Sequence, residues 1–466
     1  MMHARNPLTG GLDHVFEPAN PDEVAAEARR LRAAQPRWEA LGPDGRAAVL
    51  LRWADAVEAQ ADAITEALSV DTGRRKIARI EVDGLPRTIR RWAERGPALL
   101  AALESRDRQS AHPTVTITTR HSAYPLFGAI APWNFPVVLS TIDLVPALMA
   151  GCAALVKPSE VTPRFVEPLR ASVDAVPELA EVLAFVLGGP DTGQALIAQV
   201  DYLCFTGSVP TGRKVAEAAA RAFIPANLEL GGKDPMIVLA SADPVYAAQV
   251  ALRASVVASG QACQSIERVY VAREIAAPFL DTLVHIAEAA AAQTGPFIFA
   301  RQGNIVQAQI DAAVAAGATV LTGGRVEDRG GGRFLAPTVI TGVTPDTALM
   351  REETFGPVIP VTVFDTVAEA VALANDSGFG LGAAVLAGTA EEAEAVGAQL
   401  EAGAISINDG ALTSMVWDAE NTSRKWSGLG PSRMGDSGLT RFLRSQALIR
   451  QNGAPLPLAA YAEDGP

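Results

Sequence analysis

Apolar residues recur at helical spacing through the first hundred positions and then give way to a different pattern. Asn20-Pro21 reads as an N-cap followed by proline at the first helical position, predicting a helix to about Gln35. Two more helices are expected over roughly 44–70 and 77–103. Val115 and Ile117 then alternate with Thr114, Thr116 and Thr118, the signature of a strand with one solvated face. From Leu126 strands and helices take turns: strand 126–131, helix 138–149, strand 153–156, helices 164–176 and 179–187, strand 202–205, helix 211–221, and a short strand ending at Leu230. After Gly231-Gly232 the alternation restarts, with strands near 236–239, 268–271, 319–321, 358–364, 382–386 and 404–407. Such alternation predicts parallel sheets with helices on both faces. We place the main domain boundary at Gly231-Gly232, read 330–332 as a flexible surface turn, and expect a loosely held tail beyond Gln451.

A chain of 466 residues is too long for one core, so two or three domains are expected. Hydrophobic residues at 49% and charged ones at 20% are the balance of a globular protein rather than a disordered one. A net charge of −13 repels a phosphate backbone, which excludes nucleic acid as a natural partner. The longest apolar stretch, 136–155, is interrupted by Asp143, Pro146 and Gly151, which argues against a membrane span. Residues 1–10 carry no secretory-signal pattern. Three cysteines give neither a disulfide framework nor a metal-binding spacing, so a reducing cytoplasm is the simplest compartment.

Each thiol is then core filler or chemistry. Cys152, in an apolar run, and Cys204, inside a predicted strand, suit the core. Cys263 lies in Ser259-Gly260-Gln261-Ala262-Cys263-Gln264-Ser265, where small polar neighbours leave room for a substrate. None of the five histidines carries a motif pairing it with this cysteine, which weakens a cysteine-protease reading. Glu229, between two leucines before Gly231-Gly232, is either an exposed side chain or a carboxylate in an apolar setting suited to a general base. Gly207-Ser208 forms a strand-to-helix turn whose amides could face a phosphate, although it lacks a dinucleotide fingerprint. Lys157-Pro158-Ser159-Glu160 follows a strand, at the sheet edge where open α/β folds bind ligands, or is simply a solvated turn. Asn134 sits in a loop stiffened by Trp133, Phe135 and two prolines, which fixes its amide or merely forms an Asx turn.

Six segments appear in order between about 125 and 365: APWNFP, VKPSE, FTGS, LELGGKDP, GQAC and EETFGPV. Together with the 34-residue separation from Glu229 to Cys263, they closely resemble the aldehyde dehydrogenase superfamily, of the NAD(P)-dependent, non-acylating type. The resemblance implies an α/β fold with a Rossmann-like cofactor domain (1–105 and 124–230), an α/β catalytic domain (231–425) and a small β bridging arm (106–123 and 440–466). It implies a homodimer or homotetramer joined through that arm, with no nucleic-acid or membrane partner. Cys263 would attack the aldehyde, the Asn134 amide and the Cys263 N–H would hold the oxyanion, and Glu229 would activate water to hydrolyse the thioester. Lys157 and Glu160 would hold the adenine ribose, Gly207 and Ser208 the pyrophosphate, and Glu353 the nicotinamide ribose. Trp133, Ser159, Gly231 and Phe355 fall on the cofactor side by the same likeness. The cofactor expected is NAD, with NADP possible, and no metal.

Two stretches depart from the family pattern. The segment 290–305 is shorter than usual. The region 421–436 lacks a common Pro-Phe-Gly-Gly, places Asn421 where an aromatic often stands, and is slightly extended at 430–435. We expect these changes to leave Cys263, Glu229 and Asn134 untouched and to bear on the substrate. Phe135, Val138, Leu139 and Ile142 predict an apolar tunnel wall and a hydrophobic aliphatic or aromatic aldehyde. The rivals are a CoA-acylating dehydrogenase, which often lacks the glutamate, and a non-catalytic family member.

Overall fold

The computed structural model describes residues 1–463; the end of the expected arm, 464–466, lies outside them. A six-stranded sheet runs in the order Gly428–Leu429, Ala226–Glu229, Tyr202–Thr206, Leu126–Ile130, Ala153–Lys157, Leu183–Phe185. All neighbours in it are parallel except the first pair. A seven-stranded sheet runs Thr319–Thr322, Thr338–Thr341, Val358–Phe364, Ile266–Ala272, Asp234–Val238, Gly382–Leu386, Ala404–Ile407, antiparallel only at its first pair. The chain passes from one sheet to the other through Gly231-Gly232, and returns to the first at Gly428–Leu429. One core surrounds the first sheet and its N-terminal helices; two more cover opposite faces of the second.

Asn20 caps the first helix, Pro21–Ala40, in a reciprocal capping box with Glu23, as its sequence signature requires. Four expectations change. The helix expected over 44–70 is two, Gly42–Ala59 and Ala61–Thr72. The one expected over 138–149 is broken into Pro136–Thr141 and Leu144–Ala150, because Pro146 has no N–H to offer the Ile142 carbonyl; at the break the Asp143 side chain pairs with Arg433 and Arg441. Of the helix expected over 179–187, only Pro177–Ala180 forms; Leu183–Phe185 is a strand, since its backbone finds parallel partners on Ala153–Lys157. The turn at 330–332 closes a hairpin and is held against the N-terminal ribbon, where Arg5 donates to the Gly331 carbonyl.

Strand Val115–Ala123 pairs with Leu443–Gln451 along its whole length and with Ser105–Gln109 on its other side. The outer strand leaves Ile449 70% exposed. Among the described residues no helix is long and apolar enough to cross a membrane.

Candidate active site

Parallel strands in register end together, so the loops that follow them share one sheet edge. Ile130 lies between Lys157 and Phe205, and Thr206 opposite Glu229. This edge therefore carries the Trp133-Asn134 loop, the Pro158–Glu160 turn, Gly207-Ser208 and Gly231. Lys157 is buried, its Nζ 3.1 Å from Glu160 Oε2. The Ser159 hydroxyl accepts from Val161 N–H at 3.2 Å and so shapes its own turn. Gly207 N–H donates to the Glu229 carbonyl at 3.1 Å. Ser208 is the N-cap of helix Val209–Ala222, yet its hydroxyl donates to Thr211 Oγ1 rather than capping the backbone, which leaves first-turn amides without a side-chain partner.

Across from this edge lies the Glu353-Thr354-Phe355 loop. Glu267 accepts from Thr354 N–H at 2.8 Å and Phe355 N–H at 2.7 Å, and Lys233 Nζ bridges Glu267 and Thr354 Oγ1. Phe355 is held at φ 53°, a left-handed conformation unusual for a phenylalanine. Its ring meets Trp133 edge-on at 5.3 Å. Glu353 accepts from Gly232 N–H at 3.2 Å, and a Cβ on Gly231 would stand 2.5 Å from its carboxylate. Burial first, and then the Glu267 charge, push the Glu353 carboxyl up to about 8.

Cys263 ends a turn built from left-handed residues: Ala258 at φ 56°, Ser259 at 58° and Gly260 at 67°. Gln261 locks it, donating to Ala258 and Pro296 carbonyls and accepting from Ile298 N–H. The Ser259 hydroxyl accepts from Gly295 N–H at 2.8 Å. Cys263 is partly exposed, whereas Cys152 and Cys204 are buried. The surrounding protein still desolvates its thiol and, with Glu353 and Asp234, pushes it up to about 12, against a smaller opposing pull from Arg433. The resting sulfur is therefore a neutral thiol at pH 7, and a base must take its proton as it reacts.

Asn134 Nδ2 donates to the Gln261 carbonyl at 3.0 Å, which sets the amide beside the cysteine turn with one N–H left to offer. Arg74, wholly buried, donates to the Asn134 and Ala258 carbonyls and so ties the two loops together. Glu81 receives Val137 and Val138 N–H and caps the helix that follows Asn134. Gly232 closes the arrangement: a Cβ there would be 2.5 Å from the Cys263 carbonyl, so the Glu229–Gly232 turn packs directly on the cysteine loop.

The setting of Glu229 is polar, not the apolar one its leucine neighbours suggest. Ser423 Oγ donates to Glu229 Oε2 at 3.0 Å, and Arg433 Nε lies 4.0 Å from Oε1. The two stretches expected to bear only on the substrate thus reach the expected catalytic residues. Segment 292–298 props the Cys263 turn, and 421–436 supplies both polar neighbours of Glu229. Sequence reasoning missed Arg74, Glu81, Lys233, Gln261, Ser423 and Arg433. The signals available were Asp143 inside an apolar run, calling for a buried cation, and the extra length at 430–435.

The aldehyde dehydrogenase family model matches residues 1–448. A solved structure from Anabaena variabilis, provisionally assigned as the aldehyde dehydrogenase PutA, is 47% identical, with a TM-score of 0.95 and 98% of each chain covered. A protein of Mycolicibacterium smegmatis, provisionally named succinate-semialdehyde dehydrogenase [NADP(+)], is 38% identical over 92% of this chain and 84% of its own. Betaine aldehyde dehydrogenase from Staphylococcus aureus, solved with NAD+, is 27% identical with a TM-score of 0.89, covering 97% of this chain and 92% of its own. The chain belongs to the aldehyde dehydrogenase family. It is an NAD(P)-dependent oxidoreductase acting on the aldehyde group.

Proposed function

We propose that the protein oxidises an aldehyde to a free carboxylic acid through a thioester on Cys263. The observation that carries this reading is the packing of three segments: the Cys263 turn, the Asn134 amide hydrogen-bonded to that turn at Gln261, and the Glu229–Gly232 turn against the Cys263 backbone. The Cys263 thiol gives its proton to solvent water as its sulfur adds to the carbonyl carbon, and the Asn134 amide with the Cys263 N–H would hold the oxygen of the thiohemiacetal; donors of this kind are worth roughly 10²–10³ in rate. A bound nicotinamide supplies the hydride acceptor. Glu229 then takes a proton from water, the water oxygen bonds to the thioester carbon, and the carbon–sulfur bond breaks.

The residues present fit such a cofactor. Gly231 leaves the Glu353 carboxylate uncovered where any Cβ would fill the space, and Lys157 and Glu160 offer a cation and a carboxylate at the sheet edge. Glu160 repels a 2′-phosphate, which favours NAD, while its pairing with Lys157 softens the repulsion enough for NADP to be accepted. We assign residues 1–105 and 124–230 to cofactor binding, 231–425 to catalysis, and 106–123 with 440–466 to joining subunits of a homodimer or homotetramer.

For the substrate, Phe135, Val138 and Leu139 present partly exposed apolar surface, whereas Ile142 is buried away from it. This supports an apolar aldehyde. The name of the M. smegmatis relative favours a second reading, an aldehyde bearing a distal carboxylate. NADH formation on aliphatic, aromatic and carboxylated aldehydes, with and without CoA, separates these. Higher kcat/KM for apolar aldehydes and a free-acid product independent of CoA are expected. A carboxylated aldehyde preferred tenfold overturns the apolar assignment, and an acyl-CoA product overturns hydrolysis. Cys263→Ala abolishes turnover, and Glu229→Gln halts after one NADH per site.

A further inference from the structure

Arg433 does not belong to the expected site, yet its guanidinium is almost wholly buried and one of its nitrogens has no partner. Its Nη2 donates to Asp143 Oδ2 at 2.6 Å and to Thr206 Oγ1 at 2.8 Å. Its Nε, also buried, makes no hydrogen bond and lies 4.0 Å from Glu229 Oε1. Arg441 holds the other oxygen of Asp143. Two guanidinium groups therefore face one aspartate, which leaves a buried positive charge to be balanced. The other titratable neighbours, Tyr202 and Cys204, cannot balance it, since burial pushes both upward and keeps them neutral. Glu229 is the remaining anion within reach.

The loop that carries Arg433 is built to hold it there. Gly430 at φ 110° and Gly435 at φ 58° bracket it, and a Cβ on Gly430 would collide with Asn227. Ser432 accepts from Asn421 N–H and Met434 N–H, tying this loop to the segment that brings Ser423 to Glu229. A closing movement of about 1 Å would turn the 4.0 Å approach into a charge-assisted hydrogen bond.

We propose that Arg433, anchored by Asp143 and Arg441, is a positioning residue that orients the Glu229 carboxylate for attack of water on the thioester. Ser423 fixes one carboxylate oxygen and Arg433 draws the other, so the base is aimed by two groups on the atypical 421–436 segment. The inference rests on Glu229 being the base. It assigns Arg433 to the hydrolytic half of the reaction and not to hydride transfer.

Pre-steady-state NADH formation with the full-length enzyme tests it, comparing wild type, Arg433→Met, Arg433→Lys and Glu229→Gln. Arg433→Met is expected to keep a burst of one NADH per site at a rate within about threefold of wild type, followed by turnover slowed roughly 10- to 100-fold, part of the 10²–10⁴ a general base supplies. Arg433→Lys recovers most of the loss. Hydroxylamine, which cleaves a thioester without help from a base, restores turnover in Arg433→Met, a result that general loss of structure would not give. Equal loss of burst and steady-state rates, or no rescue by hydroxylamine, overturns the proposal. If Arg433→Met does not fold, Arg433→Gln decides: slowed hydrolysis with an intact burst supports the role, and a proportionate loss of both phases, or of neither, refutes it. A Glu229→Gln enzyme that turns over normally would instead sink the base assignment beneath it.

Discussion

Replacing Gly260 with alanine tests whether the cysteine turn is held by the geometry described here. Gly260 has φ 67°, and an added Cβ would stand 2.3 Å from the Gly356 carbonyl carbon and oxygen and 2.7 Å from Pro357 N. Ordinary contact is near 3.4 Å, so one backbone must retreat by about 1 Å. Left-handed alanine costs about 1–2 kcal/mol and overpacking a further 1–3, a total of about 2–5 kcal/mol. The displaced backbones carry Cys263 on one side and the Glu353–Phe355 loop on the other, and a misplacement near 1 Å can lower catalysis about 100-fold. Gly84 is the control: it lies inside helix Arg75–Leu103 with nothing near its missing Cβ, so Gly84→Ala gains about 1 kcal/mol. Urea unfolding and kcat/KM would be measured on both variants. If Gly260→Ala stayed within 1 kcal/mol and threefold of wild type, the claim that this close approach sets the cysteine loop would be wrong.

Further expectations follow from buried and capping groups. The Glu353 carboxyl, pushed up to about 8, favours the folded state below its unfolded value near 4.5 and loses that contribution as pH rises through 8. Glu353→Gln removes this loss, so stability against pH 5–8 in urea titrations should fall less steeply than wild type, by up to about 1.4 kcal/mol per pH unit; parallel curves refute it. Asn20→Ala removes the side-chain acceptor of a capping box and should cost about 1 kcal/mol in the same assay, without changing kcat. Glu160→Gln should raise kcat/KM with NADP relative to NAD, by relieving repulsion of the 2′-phosphate; an unchanged ratio removes Glu160 from that role.

The local part of this architecture was written in local sequence. Strands Val358–Phe364 and Gly382–Leu386 begin and end where the apolar runs do, because a strand buried on both faces admits little else. The cap at Asn20 needs only four consecutive residues to specify it. Strand Leu183–Phe185 was read as helix because three apolar residues fit either period, and only the vacant edge of Ala153–Lys157 decides between them. The break before Leu144 follows from Pro146, which stands in the sequence, but nothing local tells what pairs with Asp143. Its partners Arg433 and Arg441 lie 290 and 298 residues downstream, too far for any periodicity to report them.

The same distance explains why the chemistry around Glu229 was misread. A leucine on each side implied an apolar pocket, but in a strand those neighbours point to the opposite face from the carboxylate. What faces Glu229 is set by the chain's return at Gly428–Leu429, where Gly428 pairs directly with Glu229. That antiparallel pairing delivers Ser423 from before it and Arg433 from after it to the two carboxylate oxygens. Cys263 is likewise governed from outside its motif, by Gly295 and Ile298, which lie more than thirty residues downstream. Segments 292–298 and 421–436 therefore converge on the proposed nucleophile and base, and Arg433 also reaches Thr206 beside the Gly207-Ser208 turn. On the proposed mechanism, variation in these two segments would alter how an acyl group is released without touching Lys157 or Glu160.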